Sequence, residues 1–174
     1  MNKSELRKTA RKLKKSLDFN EISKAVCKNI ITLEEYKKSD SVMLYHALAD
    51  EIPLEALMNT SEKRFSFPAV EGDYIIPREH TSSEKIGKFG ILEPTGRVLL
   101  KQEIDLVVVP GVMFGPDMSR IGRGKGFYDR FLSDFNGIKL GVCPDLLLSD
   151  SVFSEKHDIK MDIIVTEMQI IKVD

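Results

Sequence analysis

The chain has no tryptophan, and only two cysteines and three histidines among its 174 residues. Cys27 and Cys143 stand far apart and in no ligand spacing, so both read as reduced, structural thiols. No apolar run approaches the roughly 20 residues that cross a bilayer. The basic amino terminus is followed by no apolar segment of the signal-peptide kind, so a cytoplasmic protein with no membrane partner is expected. Net charge is also nearly absent. The 26 Lys and Arg against 27 Asp and Glu leave −1, which gives no overall attraction for nucleic acid or anionic lipid. There is no repeat, low-complexity tract or clear linker, so residues 1–174 are expected to form one domain with a full core.

What is present begins with an uneven charge. Residues 1–15 carry seven basic side chains (Lys3, Arg7, Lys8, Arg11, Lys12, Lys14 and Lys15) against Glu5 alone. Leu6, Ala10, Leu13 and Leu17 recur at steps of four, three and four, which predicts a helix over 2–17. Asn20 is the expected cap of a second helix, striped by Ile22, Val26, Ile30 and Leu33. Short strands are expected at 41–47, at 64–67 ending at Pro68, at 73–76, 104–109, 139–142 and 163–166, with an edge strand at 170–173. A short helix is expected over 53–58, a polar loop together with the segment GKFGILEPTG within 78–103, and a helix over 127–135. Several strands are Val- and Ile-rich without alternation, as in a sheet buried on both faces. The expected fold class is therefore α/β: a three-layer α/β/α, Rossmann-like arrangement around a mostly parallel sheet. In such sheets ligands sit beyond the carboxyl ends of the strands.

The most informative stretch is VVVPGVMFGPDMSRIGRGKGFYDRFL, residues 107–132. A strand leads through Pro110-Gly111 to a loop with Gly122, Gly124 and Gly126 interleaved with Arg123 and Lys125, after Arg120. Glycines expose backbone N–H groups, and a following helix start adds partial positive charge, so the loop reads as a phosphate holder. Asp129 beside phosphate suggests a divalent cation. The loop matches no familiar phosphate motif: Ser119 and Gly126 break the P-loop pattern, and Phe127 breaks the dinucleotide one. The plainer reading is a flexible surface loop with solvated arginines.

PGVMFGPDMSRIGRGKGFYDRFL resembles the signature of the 5-formyltetrahydrofolate cyclo-ligases. The resemblance extends to KSELR at 3–7, YHALADEI at 45–52, FGILEP at 89–94 and EKHDIKMDIIVTE at 155–167, in that order. Two departures stand out: Gly115 where the family has Asp, with Asp117 nearby, and Phe127 where it has Tyr.

The resemblance implies ATP-driven closure of 5-formyltetrahydrofolate to 5,10-methenyltetrahydrofolate through an N5-iminium phosphate, with ADP and phosphate released. Positioning and charge neutralisation would be the protein's main tasks. By resemblance, Arg123 and Lys125 carry catalysis. ATP falls to Lys3, Arg7, Arg120, Gly122, Arg123, Gly124, Lys125, Gly126, Phe127 and Tyr128. The folate falls to His46, Glu51 and the loop Arg123, Gly124, Lys125, Gly126 and Phe127. Asp129 and Asp162 are the implied Mg²⁺ ligands. The plainer readings are a helix-start acid for Asp129, a solvated strand-start residue for Asp162 and a helix-start acid for Glu51. His157 is expected to order a loop. The expected partners are the two small molecules alone, bound by a monomer. Two other readings carry different expectations: a sugar-phosphate enzyme, and a nucleic-acid module using the basic helix.

Overall fold

The computed structural model describes residues 1–60, 62–81 and 83–173; Ser61, Ser82 and Asp174, the last ending the expected domain, lie outside it. Helix α1 (Lys3–Lys14) starts at a capping box, in which Asn2 and Glu5 accept each other's backbone N–H. Its buried stripe is Leu6 and Ala10, and it stops a turn earlier than its periodicity predicts. Helix α2 (Phe19–Thr32) is capped by Asp18, whose carboxylate accepts the N–H groups of Asn20 and Glu21. The expected cap, Asn20, is already inside the helix. Asp18 wins because its Oδ1 satisfies two of the orphan donors at once. A short α3 (Glu34–Lys38) then leads into the sheet.

The sheet has seven strands. β1 (Ser41–Met43), β2 (Arg64–Glu71), β6 (Leu106–Pro110), β9 (Ile138–Val142) and β10 (Ile163–Val165) are mutually parallel; β3 (Tyr74–Glu79) and β11 (Ile170–Lys172) close the two edges antiparallel. The spatial order is β11-β10-β9-β6-β1-β2-β3. Along β6, Val107 and Val109 pack with α1 and the later helix α4 (Phe127–Leu132), whereas Leu106 and Val108 pack with α2 and α3. Both faces are covered, so the continuous apolar strands are explained and the three-layer expectation is met. Each fully buried Val or Leu here contributes about 1.5–3 kcal/mol of apolar burial.

Four expectations fail. β2 does not end at Pro68 but runs to Glu71, paired with β3. His80 N–H bonds Phe65 C=O, which makes that pair a bonded one. By alternation, Pro68 and Pro77 then face each other in a pair that exchanges no hydrogen bonds, so neither missing N–H falls in their ladder. The polar stretch 78–103 is no simple loop: β4 (Glu84–Ile86) and β5 (Leu92–Pro94) form a hairpin within it. Helix α4 is six residues long and gives way to a turn at Ser133 and Asp134 instead of reaching Phe135, so little macrodipole is available at its start. The short helix expected over 53–58 is a 3₁₀ turn, Glu55–Asn59.

The chain passes from β1 outward to β2 and β3, then returns to β6 on the opposite flank of β1. The connections therefore diverge between β1 and β6. In open α/β sheets a crevice lies at that point, beyond the carboxyl ends.

Candidate active site

A cavity of about 910 Å³ occupies that crevice. The segment after β1 supplies Tyr45, His46, Leu48 and Glu51; the end of β6 and the residue after it supply Pro110 and Gly111. A two-residue hairpin, β7 (Met113–Phe114) with β8 (Arg120–Ile121), carries the chain from Gly111 back to the cavity. That hairpin lies within the eleven residues, 111–121, between the end of β6 and Gly122. Two arginines pin the loop by its carbonyls: Arg7 Nε donates to Gly122 O at 2.8 Å, and Arg130 Nη2 to Lys125 O at 2.9 Å. Gly124 and Gly126 have φ of 97° and 70°, a region that costs other residues dearly.

Charge is concentrated on one side. Arg120 is buried, donating from Nη1 to Pro110 O at 3.2 Å and from Nη2 to Asp129 Oδ1 at 3.1 Å, with its guanidinium near the Tyr128 ring. Its Nε is buried without a partner among the described residues. Arg123 donates from Nε to Glu51 Oε1 at 3.0 Å and from Nη2 to Asp50 Oδ1 at 2.5 Å. Burial alone would lower the Arg123 pKa; the charges of Glu51 and Asp50 outweigh it and raise it. Burial pushes up the Asp50 carboxyl too, but the bond from Arg123 and the nearby Lys14 bring it below its usual value. Lys3 bonds Asp158 Oδ2 at 2.6 Å and lies 3.3 Å from Glu155. Lys125 differs from all of these. Its ammonium stands 4.3 Å from the centre of the Phe89 ring, and among the described residues it faces no carboxylate in ion-pair range.

The other side is apolar. Phe89, at the tip of the β4–β5 hairpin, meets Phe127 edge-on with ring centres 6.1 Å apart, and Ile91, Val70 and Ile75 extend the wall. Glu93 is buried there, accepting Val70 N–H at 2.9 Å. His46 stacks on Phe67 at 4.1 Å, between Glu84 and Glu55. Glu51 spans the two regions, since its Oε2 accepts Leu48 N–H at 3.0 Å while Oε1 holds Arg123. Burial raises the Tyr128 phenol well above its ordinary value, so it stays protonated.

The structure gathers Lys3, Arg7, His46, Glu51, Arg120, the stretch Gly122–Gly126, Phe127, Tyr128 and Asp129 around this one cavity. It does not bring Asp162 there. That residue precedes β10 at the amino ends of the strands, where its carboxylate accepts the Lys139 backbone N–H at 2.8 Å and the Lys139 ammonium at 2.9 Å. The expected pairing of Asp129 with Asp162 on one metal is therefore corrected: the strand itself separates Asp162 from the crevice. The carboxylates of the same block that do line the cavity are Glu155 and Asp158, the latter four residues before Asp162. Glu155, His157 and Asp158 offer ligand atoms within 4.8 Å of one another. Exposed His157 lies 3.3 Å from Glu155. Sequence reasoning also missed Asp50, adjacent to Glu51, and Phe89, inside the quoted FGILEP.

A sequence profile of the 5-formyltetrahydrofolate cyclo-ligase family matches residues 1–167. A probable 5-formyltetrahydrofolate cyclo-ligase of Schizosaccharomyces pombe is 30% identical over 90% of this chain and 88% of its own length. The NMR structure of Aquifex aeolicus 5,10-methenyltetrahydrofolate synthetase is 34% identical, covers 99% of this chain and 93% of its own, and superposes with a TM-score of 0.89. The synthetase of Mycoplasma pneumoniae, at 21% identity, shares the fold with a TM-score of 0.79 over 96% of this chain and 99% of its own.

Proposed function

This chain belongs to the 5-formyltetrahydrofolate cyclo-ligase family, and we propose that it closes 5-formyltetrahydrofolate to 5,10-methenyltetrahydrofolate at the expense of ATP. One observation carries the reading: a single crevice joins a cationic glycine loop, with Lys125 clear of carboxylates among the described residues, to an apolar wall of ring-sized extent. The first side suits a triphosphate and the second a pterin.

A formamide oxygen is a poor leaving group. Its attack on the γ-phosphorus with departure of ADP gives an N5-iminium phosphate. N10 then attacks the activated carbon, loses its proton, and phosphate leaves with the formyl oxygen. Lys125 and the loop N–H groups neutralise charge on the transferring group, and Arg123 adds its Nη1, which has no partner among the described residues. Lys3 and Arg7 border the same phosphate region. Phe89, Phe127 and Ile91 flank the pterin, with His46 and Glu51 at its polar edge.

The donor set fits a hard cation, because Asp129 and the Glu155–Asp158 cluster line the cavity. These residues would hold Mg²⁺, which neutralises phosphate oxygens when bound. We take the chain to act as a monomer, and its place of action to be the cytoplasm.

The test is direct. Protein mixed with 5-formyltetrahydrofolate, Mg²⁺ and ATP should develop methenyltetrahydrofolate absorbance, and omission of ATP should abolish it. No absorbance in the complete mixture overturns the reading.

A further inference from the structure

Lys14 is buried to 8% exposure on α1, yet it carries a charge. Its ammonium donates to the Asp50 carbonyl at 2.9 Å and to Asp50 Oδ2 at 3.1 Å. Asp50 passes the contact on, its Oδ1 accepting Arg123 Nη2 at 2.5 Å. A lysine is expensive to bury, and it is retained here only with its charge matched. Leucine at this place would extend the apolar stripe of Leu6 and Ala10 at less cost. The ammonium therefore has another use, and its only described partner is the acid that grips the loop arginine.

Asp50 is half-exposed and sits in a turn after β1, so alone it would have freedom to swing. Lys14 removes that freedom twice over, fixing the main chain through the carbonyl and the side chain through Oδ2. Oδ1 is then left in one direction, toward Arg123. Glu51 is fixed in turn by the Leu48 N–H. The guanidinium is thus held at two corners by two acids, each anchored from behind.

We propose that Lys14 is a positioning residue for Arg123, acting through Asp50 to set where the loop guanidinium stands in the crevice. This rests on the phosphate role given to Arg123 above. Lys14 itself touches neither substrate.

Lys14→Met keeps the aliphatic length and removes the charge. It should lower kcat/KM for ATP about tenfold, since small misplacements of a charge-stabilising group are costly. KM for 5-formyltetrahydrofolate should stay within about twofold. In an Arg123→Ala background the same change should cost nothing more, because its effect runs through Arg123. Equal losses in both backgrounds would mark Lys14 as structural only and overturn the proposal, as would unchanged kinetics. Should Lys14→Met fail to fold, Asp50→Asn breaks the same chain at a half-exposed link and carries the same expectations. The Arg123 Nε–Hε NMR resonance gives a readout without turnover: Lys14→Met should shift it, whereas the Arg130 resonance, set by carbonyl contacts, should hold. An unmoved Arg123 resonance overturns the proposal. A shifted one in a protein that makes no methenyltetrahydrofolate keeps the positioning and overturns only the activity.

Discussion

Arg123 Nε donates to Glu51 Oε1 at 3.0 Å, so the glycine loop after β8 and the acid after β1 meet inside one crevice. In sequence they are 72 residues apart. On the proposed function, phosphate and pterin recognition would share a charge pair instead of occupying separate pockets.

Lys125 and Arg123 should respond differently to loss. Lys125→Ala removes an exposed ammonium that pairs with no described carboxylate, so the melting temperature should hardly move. Its loss from the transition state should cost about 2–4 kcal/mol in kcat/KM. Arg123→Ala should cost activity on the same scale and also lower stability, because Asp50 and Glu51 lose their common partner. Steady-state kinetics beside thermal melts test both. Wild-type turnover in either variant removes that residue from the phosphate site.

The two aspartates taken together by resemblance should separate. Asp129→Asn leaves buried Arg120 short of its counter-charge and takes a carboxylate from the cavity. Melting temperature should fall and the Mg²⁺ concentration for half-maximal rate should rise. Asp162→Asn lies at the other end of the strands and should leave the magnesium titration unchanged, with a loss of about 1 kcal/mol from the Lys139 contacts. A magnesium requirement that moves with Asp162 and not with Asp129 would reverse this assignment.

The sheet was readable because its strands are buried on both faces, so apolar runs at 106–110 and 163–165 survive without any alternation to obscure them. The loop's place at the cavity was readable because its composition is local: cations and glycines lie in five consecutive residues. What escaped depends on partners distant in sequence. Pro68 reads as a stop until Pro77 is placed opposite it in β3. Asp158 and Asp162 look alike in one block, and only the strand boundary sends one to the crevice and the other to the far end. Lys14 reads as one more lysine on a basic helix until the turn at Asp50 folds over it.

Acid should expose the charge network. Asp50 and Asp158 have folded pKa values below their ordinary ones: burial opposes this, and the cations Arg123 and Lys14, or Lys3 with the Glu155 N–H, prevail. A lowered folded pKa gives stability that is present above the unfolded value, about 3.9, and is lost as pH falls through the folded one. The melting-temperature gap between wild type and Asp50→Asn should therefore be open at neutral pH and shrink below about pH 3.9. A gap that is constant with pH would mean that Asp50 acts through shape and not charge.

Both thiols should be silent in the native protein. Burial raises the pKa of Cys27 and, more strongly, of Cys143, and the thiolate is the reactive form. A maleimide should modify neither at neutral pH and both after denaturation. Rapid native labelling of Cys143 would show that the carboxyl end of β9 opens.

Glu51→Gln tests the shared pair most sharply. The carboxylate gives one oxygen to Arg123 and one to the Leu48 N–H. A glutamine carbonyl still accepts the Leu48 N–H, so the turn should keep its shape. Its amide presents N–H₂ toward Arg123, where a donor already stands, and the anion is gone. Asp50 continues to hold Nη2, so the guanidinium stays in the crevice with one counter-charge fewer. A triphosphate then meets a more positive loop, and a non-hydrolysable ATP analogue should bind as well as before or better. The pterin loses an anionic acceptor for its N–H donors, a bond of about 1.5–3 kcal/mol in typical cases. The 5-formyltetrahydrofolate Kd should rise at least about tenfold, equivalent to about 1.4 kcal/mol. Calorimetric titration of each ligand alone separates the two effects. If the analogue weakens and the folate does not, Glu51 serves only to hold Arg123 in its phosphate-binding pose, and the pterin must be read elsewhere along the crevice.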